Sequence, residues 1–185
     1  RKLGIGREPV AVFAGRKMIT PAYFLGVVYA GRPYAPIDAS LPDKRIEKIL
    51  ENLMPRAIVA DGESLGHVRE IVAELSKDEN FVAPEIFVAE EVCSTDTENK
   101  EDEELLAAVR KQMSMTDPLY IIYTSGSTGN PKGVMTSHLS LMTYINAYCG
   151  VMQIERDDVL GNQSPLDYIA AIRDIYLTLK TGSST

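Results

Sequence analysis

The chain has 185 residues, 45% of them apolar and 24% charged, with a formal net charge of −7. That length suits one domain with a buried core. The acidic balance excludes a surface built for nucleic acid or an anionic membrane. Two widely spaced cysteines, Cys93 and Cys149, exclude a disulfide-dense scaffold and read as thiols of a reducing, cytoplasmic compartment. No window has the apolar length of a membrane span, and no signal peptide opens the chain.

In chain order, Val10 to Ala14 reads as a strand and Thr20 to Ala30 as a helix, with Thr20 as cap and Pro21 in the first turn. Tyr34 to Asp38 is a short strand. Ser40-Leu41-Pro42-Asp43 resembles a capping box with Asp in place of Glu. Ile46, Ile49, Leu50 and Leu53 then recur at helical spacing up to Pro55. Ala57 to Ala60 is the next strand, with Asp61-Gly62 as its turn. Val68, Ile71, Val72 and Leu75 mark a short helix, and Glu85 to Ala89 a strand. Glu91 to Glu104 is acid-rich and nearly free of apolar residues, the composition of a solvated, mobile surface loop. A helical stripe at Leu105, Leu106, Val109 and Met113 leads to a buried strand, Leu119 to Ile122. Leu141, Ile145, Tyr148 and Met152 make a helix, Val159 to Gln163 a strand, and Ile169, Ile172, Tyr176 and Leu179 a last helix. His67 has no evident partner and reads as a surface residue. The alternation predicts βαβ units: an α/β fold in three layers, α/β/α, around a mainly parallel sheet.

The most informative stretch follows Ile122: Tyr123-Thr124-Ser125-Gly126-Ser127-Thr128-Gly129-Asn130-Pro131-Lys132-Gly133-Val134. Its glycines turn sharply, and its hydroxyls and backbone N–H groups can converge on one anion, with Lys132 as a mobile cation. It is not a Walker A sequence, because Asn130 and Pro131 separate Gly129 from Lys132. Pro131 removes a donor and biases Asn130 away from helix, so the segment is expected to remain a loop through Gly133. Leaving a strand's carboxyl end, it sits where ligands bind in open α/β sheets.

This stretch resembles the phosphate-binding motif of the acyl-adenylate-forming (AMP-binding) superfamily, which includes acyl-CoA synthetases, luciferases and nonribosomal peptide synthetase adenylation domains. Two further segments agree and occur in the family's order. Tyr29-Ala30-Gly31-Arg32-Pro33-Tyr34-Ala35-Pro36-Ile37-Asp38 resembles an upstream segment of amino-acid adenylation domains. Asn162-Gln163-Ser164-Pro165-Leu166-Asp167-Tyr168-Ile169, continuing to Leu179, resembles the segment opening the carboxylate pocket. The resemblance implies an ATP-dependent, Mg²⁺-assisted ligase that activates a carboxylic acid as an acyl-adenylate, then passes it to a phosphopantetheinyl carrier thiol or CoA. Thr124, Ser125, Gly126, Ser127, Thr128 and Gly129 would hold phosphates. Lys132 would act in catalysis, and Thr128 would help place Mg²⁺. Relatives often carry a histidine near the position of His138, which reads either as a pocket residue or as a helix N-terminal histidine bonded locally.

One departure concerns the acid. In amino-acid adenylation domains an aspartate pairs with the substrate's α-ammonium, and Ile169 stands at that position here. An unpaired buried ammonium is costly. Three explanations are open: a substrate without an α-amino group, Asp167 supplying the charge, or a degenerate site. Asp167 also reads as the N-cap of the last helix. The glutamate, aspartate, hinge and carboxyl-terminal lysine that the resemblance implies have no counterpart in residues 1–185. Residues 1–185 are therefore expected to be a single incomplete domain, inactive alone and prone to self-association through uncovered surface. The alternatives are a noncatalytic module that keeps the scaffold and part of an acyl-CoA synthetase.

Overall fold

A computed structural model describes residues 6–93, 100–125 and 129–185. Six strands form one sheet: β1 (Val10–Phe13), β2 (Tyr34–Pro36), β3 (Ala57–Ala60), β4 (Glu85–Val88), β5 (Pro118–Thr124) and β6 (Lys132–Ser137). Their spatial order is β4-β3-β1-β2-β5-β6. Every neighbouring pair is parallel except β5 and β6, which form an antiparallel hairpin at one edge. The helices are α1 (Thr20–Tyr29), α2 (Asp43–Leu53), α3 (Leu65–Leu75), α4 (Ala89–Cys93), α5 (Lys100–Gln112), α6 (His138–Met152) and α7 (Ile169–Thr181).

Strand β1 shows why the sheet is covered on both sides. All four of its residues are buried, so the sequence reads as a continuous apolar run. Alternation along the strand sends Val10 and Val12 to a core with α1, α6 and α7, and Ala11 and Phe13 to a second core with α2 and α3. In α2, Ile46, Ile49, Leu50 and Leu53 recur on one face, and all are buried there. Truncating fully buried Leu50 to alanine would cost about 2–5 kcal/mol.

The strand order also places the site. The chain passes from β1 through α1 to β2, then back through α2 across β1 to β3. Helices α1 and α2 pack on opposite faces, so the connections leaving β1 and β2 diverge at their carboxyl ends. That divergence opens a crevice, the usual ligand position in such sheets.

Local differences from the sequence reading have physical causes. The loop closes earlier than expected: β6 begins at Lys132, in register with Thr124. Pro131 immediately precedes it, where a missing donor removes no ladder bond. Val159 to Gln163 forms no sheet strand; Val159 makes only an isolated bridge to Ser184. The acid-rich stretch is helical at both ends, in α4 and α5, and its residues 94–99 lie outside the described part. Neither early cap forms as read. Thr20 is the first residue of α1 and donates its hydroxyl to the Gly15 carbonyl at 2.6 Å. Asp38, not Ser40, supplies the side-chain acceptor ahead of α2, taking the Ser40 N–H at 2.8 Å. His67 does have a partner, Asp43 Oδ1 at 2.9 Å.

Candidate active site

The Gly-rich loop joins β5 to β6 at the carboxyl edge of the parallel strands. Thr124 and Ser125 are exposed at its start. Thr124 Oγ1 reaches the Lys132 carbonyl across the hairpin at 3.5 Å. Gly126, Ser127 and Thr128 lie outside the described residues. Gly129 has φ +77, and open space surrounds its Cα, so glycine is required there by conformation rather than by room. At Gly133 the reason is reversed: an added Cβ would meet Ile121 at 3.0 Å and the Tyr123 ring at 3.1 Å. Lys132, which lies between these two glycines and is the first residue of β6, is exposed at the root of the loop.

Both stems of the loop are tied to α2. Tyr123 donates its hydroxyl to Asn52 Oδ1 at 2.8 Å, and Lys48 Nζ donates to Asn130 Oδ1 at 3.0 Å. Lys48 and Asn52 are four residues apart and share one helix face. Burial pushes the Tyr123 phenol up to about 12, so it acts as a neutral donor.

Beside the loop lies the crevice at the ends of β1 and β2, about 180 Å³, walled by Gly15, Arg16, Asp38 and Pro165 to Asp167. Strand β2 pairs with β5 through Tyr34 and Tyr120. That pairing is parallel, so the carboxyl ends of β2 and β5 lie at the same edge of the sheet. Crevice and loop therefore share one edge.

Two carboxyl groups, those of Asp38 and Asp167, line this crevice. Half-buried Asp167 has its pKa raised, first by burial and then by the Asp38 carboxylate, with Arg45 opposing. Asp167 does not cap α7: the N-cap is Tyr168, and no side chain bonds there. Its carboxyl is thus not consumed by the helix. Ile169, the first residue of α7, is 39% exposed and does not wall the crevice.

His138 is not brought to this place. It opens α6 directly after Ser137, the residue paired with Pro118 at the start of β5. Lys132 stands at the other end of β6, about 20 Å away at the rise of an extended strand. The His138 N–H donates to the Asp117 carbonyl at 3.2 Å, and Ser137 caps the helix by accepting from Ser140 N at 3.2 Å. Burial lowers the His138 pKa, and the Asp117 carboxylate opposes this. His138 thus stands at the end of the β5–β6 hairpin away from the Gly-rich loop.

Sequence reasoning passed over the residues that brace the edge. Asp61, read only as part of a turn, is 1% exposed. It accepts from Gly15 N at 3.1 Å, Ser64 N at 3.0 Å, Ser64 Oγ at 2.6 Å and Lys17 Nζ at 3.0 Å. Burial disfavours its charge, but the donors from Ser64, Gly15 and Lys17 outweigh that and hold its pKa at about 2. An aspartate placed directly after a buried strand was the available signal.

The family model described as AMP-binding enzyme matches residues 1–185. The chain belongs to this family. Among AMP-binding relatives, a D-alanine--D-alanyl carrier protein ligase of Bacillus velezensis is 33% identical over 178 residues, covering 96% of this chain and 32% of that protein. The ligase of the same description from Lacticaseibacillus casei is 28% identical over 177 residues, with the same coverage, 96% and 32%. The chain thus spans about a third of the length of these curated relatives. ATP-bound MatB from Rhodopseudomonas palustris superposes with TM-score 0.73 at 19% identity, covering 99% of this chain and 35% of that one. A four-domain nonribosomal peptide synthetase bound to AMP and glycine superposes with TM-score 0.71 at 22% identity, covering 96% and 12%. These structures establish the AMP-binding fold for this chain, a mostly parallel sheet between helices. No helix among the described residues is long and apolar enough to cross a membrane.

Proposed function

We propose that this chain is the amino-terminal portion of the large domain of an ATP-dependent, AMP-forming ligase, which activates a small carboxylic acid for transfer to a carrier-protein thiol. The observation that carries the reading is the shared edge: the Thr124–Lys132 loop and the acid-lined crevice stand side by side at the carboxyl ends of β5, β1 and β2. The D-alanyl carrier protein ligases among the relatives support the transfer step.

The reaction needs position more than a side-chain nucleophile. A carboxylate oxygen of the acid forms a bond to the α-phosphorus of ATP, and the bond from that phosphorus to the bridging oxygen breaks. Pyrophosphate departs with the electron pair. Thr124, Ser125, Gly126, Ser127, Thr128 and Gly129 supply hydroxyl and N–H donors to the β- and γ-phosphates. Lys132 screens the charge that builds on the leaving group. The described residues contain no group of three or more His, Cys, Asp or Glu that could hold a metal. A single hydroxyl such as that of Thr128 nonetheless suits Mg²⁺, which keeps several waters and takes few protein ligands. Bound there, the ion would neutralise phosphate charge.

Among the open explanations for Ile169, the uncapped, half-buried Asp167 favours an amino acid whose ammonium pairs with Asp167. The test is ATP–pyrophosphate exchange by the intact gene product with a panel of amino, 2-hydroxy, 2-oxo and aryl acids. Exchange with amino acids, lost in Asp167→Asn, is expected. Exchange with 2-hydroxy or 2-oxo acids alone would remove Asp167 from the role. No exchange with any acid would point to a noncatalytic module.

A further inference from the structure

One wall of the crevice lies outside the sheet. Pro165 to Asp167 belong to a segment that forms no sheet strand; Leu160 and Leu166 pack it on the core, and its start is tied to the residues after α7 by the Val159–Ser184 bridge and the bond from Leu160 N to the Ser184 carbonyl at 2.8 Å. Those backbone contacts lie several residues before the wall itself.

Arg16 stands on the opposite wall and reaches across. Its Nη1 donates to the Gln163 carbonyl at 2.9 Å, and its Nη2 donates to the Asn162 carbonyl. Asn162 Nδ2 in turn donates to the Ala171 carbonyl in the first turn of α7 at 3.2 Å. The loop carrying Arg16 is itself fixed, because buried Asp61 accepts the Gly15 N–H and the Lys17 ammonium on either side of it. Thr20 Oγ1 closes the same loop on the Gly15 carbonyl.

We propose that Arg16 is a positioning residue for the acid pocket, registering the Asn162–Asp167 segment against the sheet edge from a loop that Asp61 locks. Its targets are two successive main-chain carbonyls, so it fixes backbone position and does not read a side chain. The planar fork of a guanidinium meets both at once, which a lysine ammonium cannot reproduce in the same geometry. Arg16 is exposed and adds nothing to either core, so its loss should leave the fold in place and shift the wall. A shift of about 1 Å in a substrate-positioning wall costs up to about a hundredfold in rate.

The inference rests on the reading that the crevice walled by Pro165 to Asp167 is the acid pocket. The experiment compares Arg16→Ala and Arg16→Lys with wild type in the intact gene product, by ATP–pyrophosphate exchange and by amide hydrogen exchange. Arg16→Ala should raise the KM for the best acid of the panel about tenfold, with the KM for ATP within about twofold. Amides of residues 162–168 should exchange about tenfold faster, and those of α2 and β3 should not change. Arg16→Lys should recover part of both effects. Equal changes in the two KM values, or unchanged exchange over 162–168, would overturn the proposal. If wild type activates no acid, the functional reading falls and the pocket role with it; hydrogen exchange then still shows whether Arg16 anchors the segment.

Discussion

Tyr123 and Asn52 are 71 positions apart in sequence, yet the phenol donates to the amide oxygen at 2.8 Å, on the same α2 face from which Lys48 reaches Asn130. Helix α2 therefore grips the Gly-rich loop on both sides. These two bonds hold the stems of the loop, at Tyr123 and Asn130, against the helix. Each is partly solvated and contributes about 0.5–1.5 kcal/mol. The double variant Tyr123→Phe/Lys48→Ala should raise the KM for ATP several-fold while the acid's KM holds, as read by pyrophosphate exchange at varied ATP. An unchanged KM for ATP would show that the grip has no bearing on nucleotide binding.

Lys132 should matter to chemistry and not to folding. It is exposed at the first position of an edge strand, and its side chain lies outside both cores. Lys132→Ala is expected to slow exchange by about 10²–10³, the scale for removing one charge-stabilising donor. The thermal midpoint should stay within about 2 °C, as for an exposed substitution. Exchange at the wild-type rate would remove Lys132 from the mechanism.

Asp61 predicts the acid limb of stability. Its folded pKa, about 2, lies below its ordinary value of 3.8, so the folded state favours the carboxylate. That contribution is complete above about pH 4 and is lost as pH falls through about 2; the shift corresponds to about 2 kcal/mol. Denaturant titrations at pH 6 and pH 3 should show wild type losing part of its margin over Asp61→Asn at the lower pH. A gap between the two proteins that does not depend on pH would contradict the ionic role.

His138 gives the opposite expectation to the one a family resemblance suggests. At the far end of β6 from Lys132, it should titrate below its ordinary value of 6.5 because burial favours the neutral ring. Its stabilising effect is then present above that value and is lost as pH falls below it. His138→Ala should leave the KM values for acid and ATP within about threefold, a change of about 0.6 kcal/mol. A selective rise in the acid's KM would restore His138 to the pocket.

What could be read from the sequence followed from local pattern. The apolar runs of β1, β3 and β5 and the stripes of α2 and α3 carry their periodicity in adjacent residues, so the α/β class and the position of the loop were legible. The hairpin partner β6 was not, because its two apolar residues, Val134 and Met135, are adjacent and do not alternate, and its strand state comes from pairing with β5. Val159 to Gln163 failed for the converse reason: the residues suit a strand, but only Ser184 offers a bridge. Arg16 and Asp61 left no motif, because Arg16 meets main-chain carbonyls 146 and 147 positions away and Asp61 reaches back across the sheet to Gly15 and Lys17.

The last prediction concerns residues 1–185 expressed by themselves. This stretch matches about a third of each curated ligase, and it carries the loop and the crevice wall proposed to hold phosphate and acid. Groups that fix the ribose and the reacting carboxylate are expected from the remaining two thirds. Misplacement of reacting atoms by about 1 Å already costs about a hundredfold, so the isolated stretch should give no acid-dependent pyrophosphate exchange above a Lys132→Ala control. It should also associate with itself. Among the described residues, strand β6 is an edge with no strand on its outer side, and Val134 and Met135 on it are 52% and 68% exposed. Sedimentation should show a concentration-dependent shift from monomer to dimer, and Val134→Lys should abolish it. Robust acid-dependent exchange by these residues alone would mean that the whole reaction centre lies on this one sheet edge.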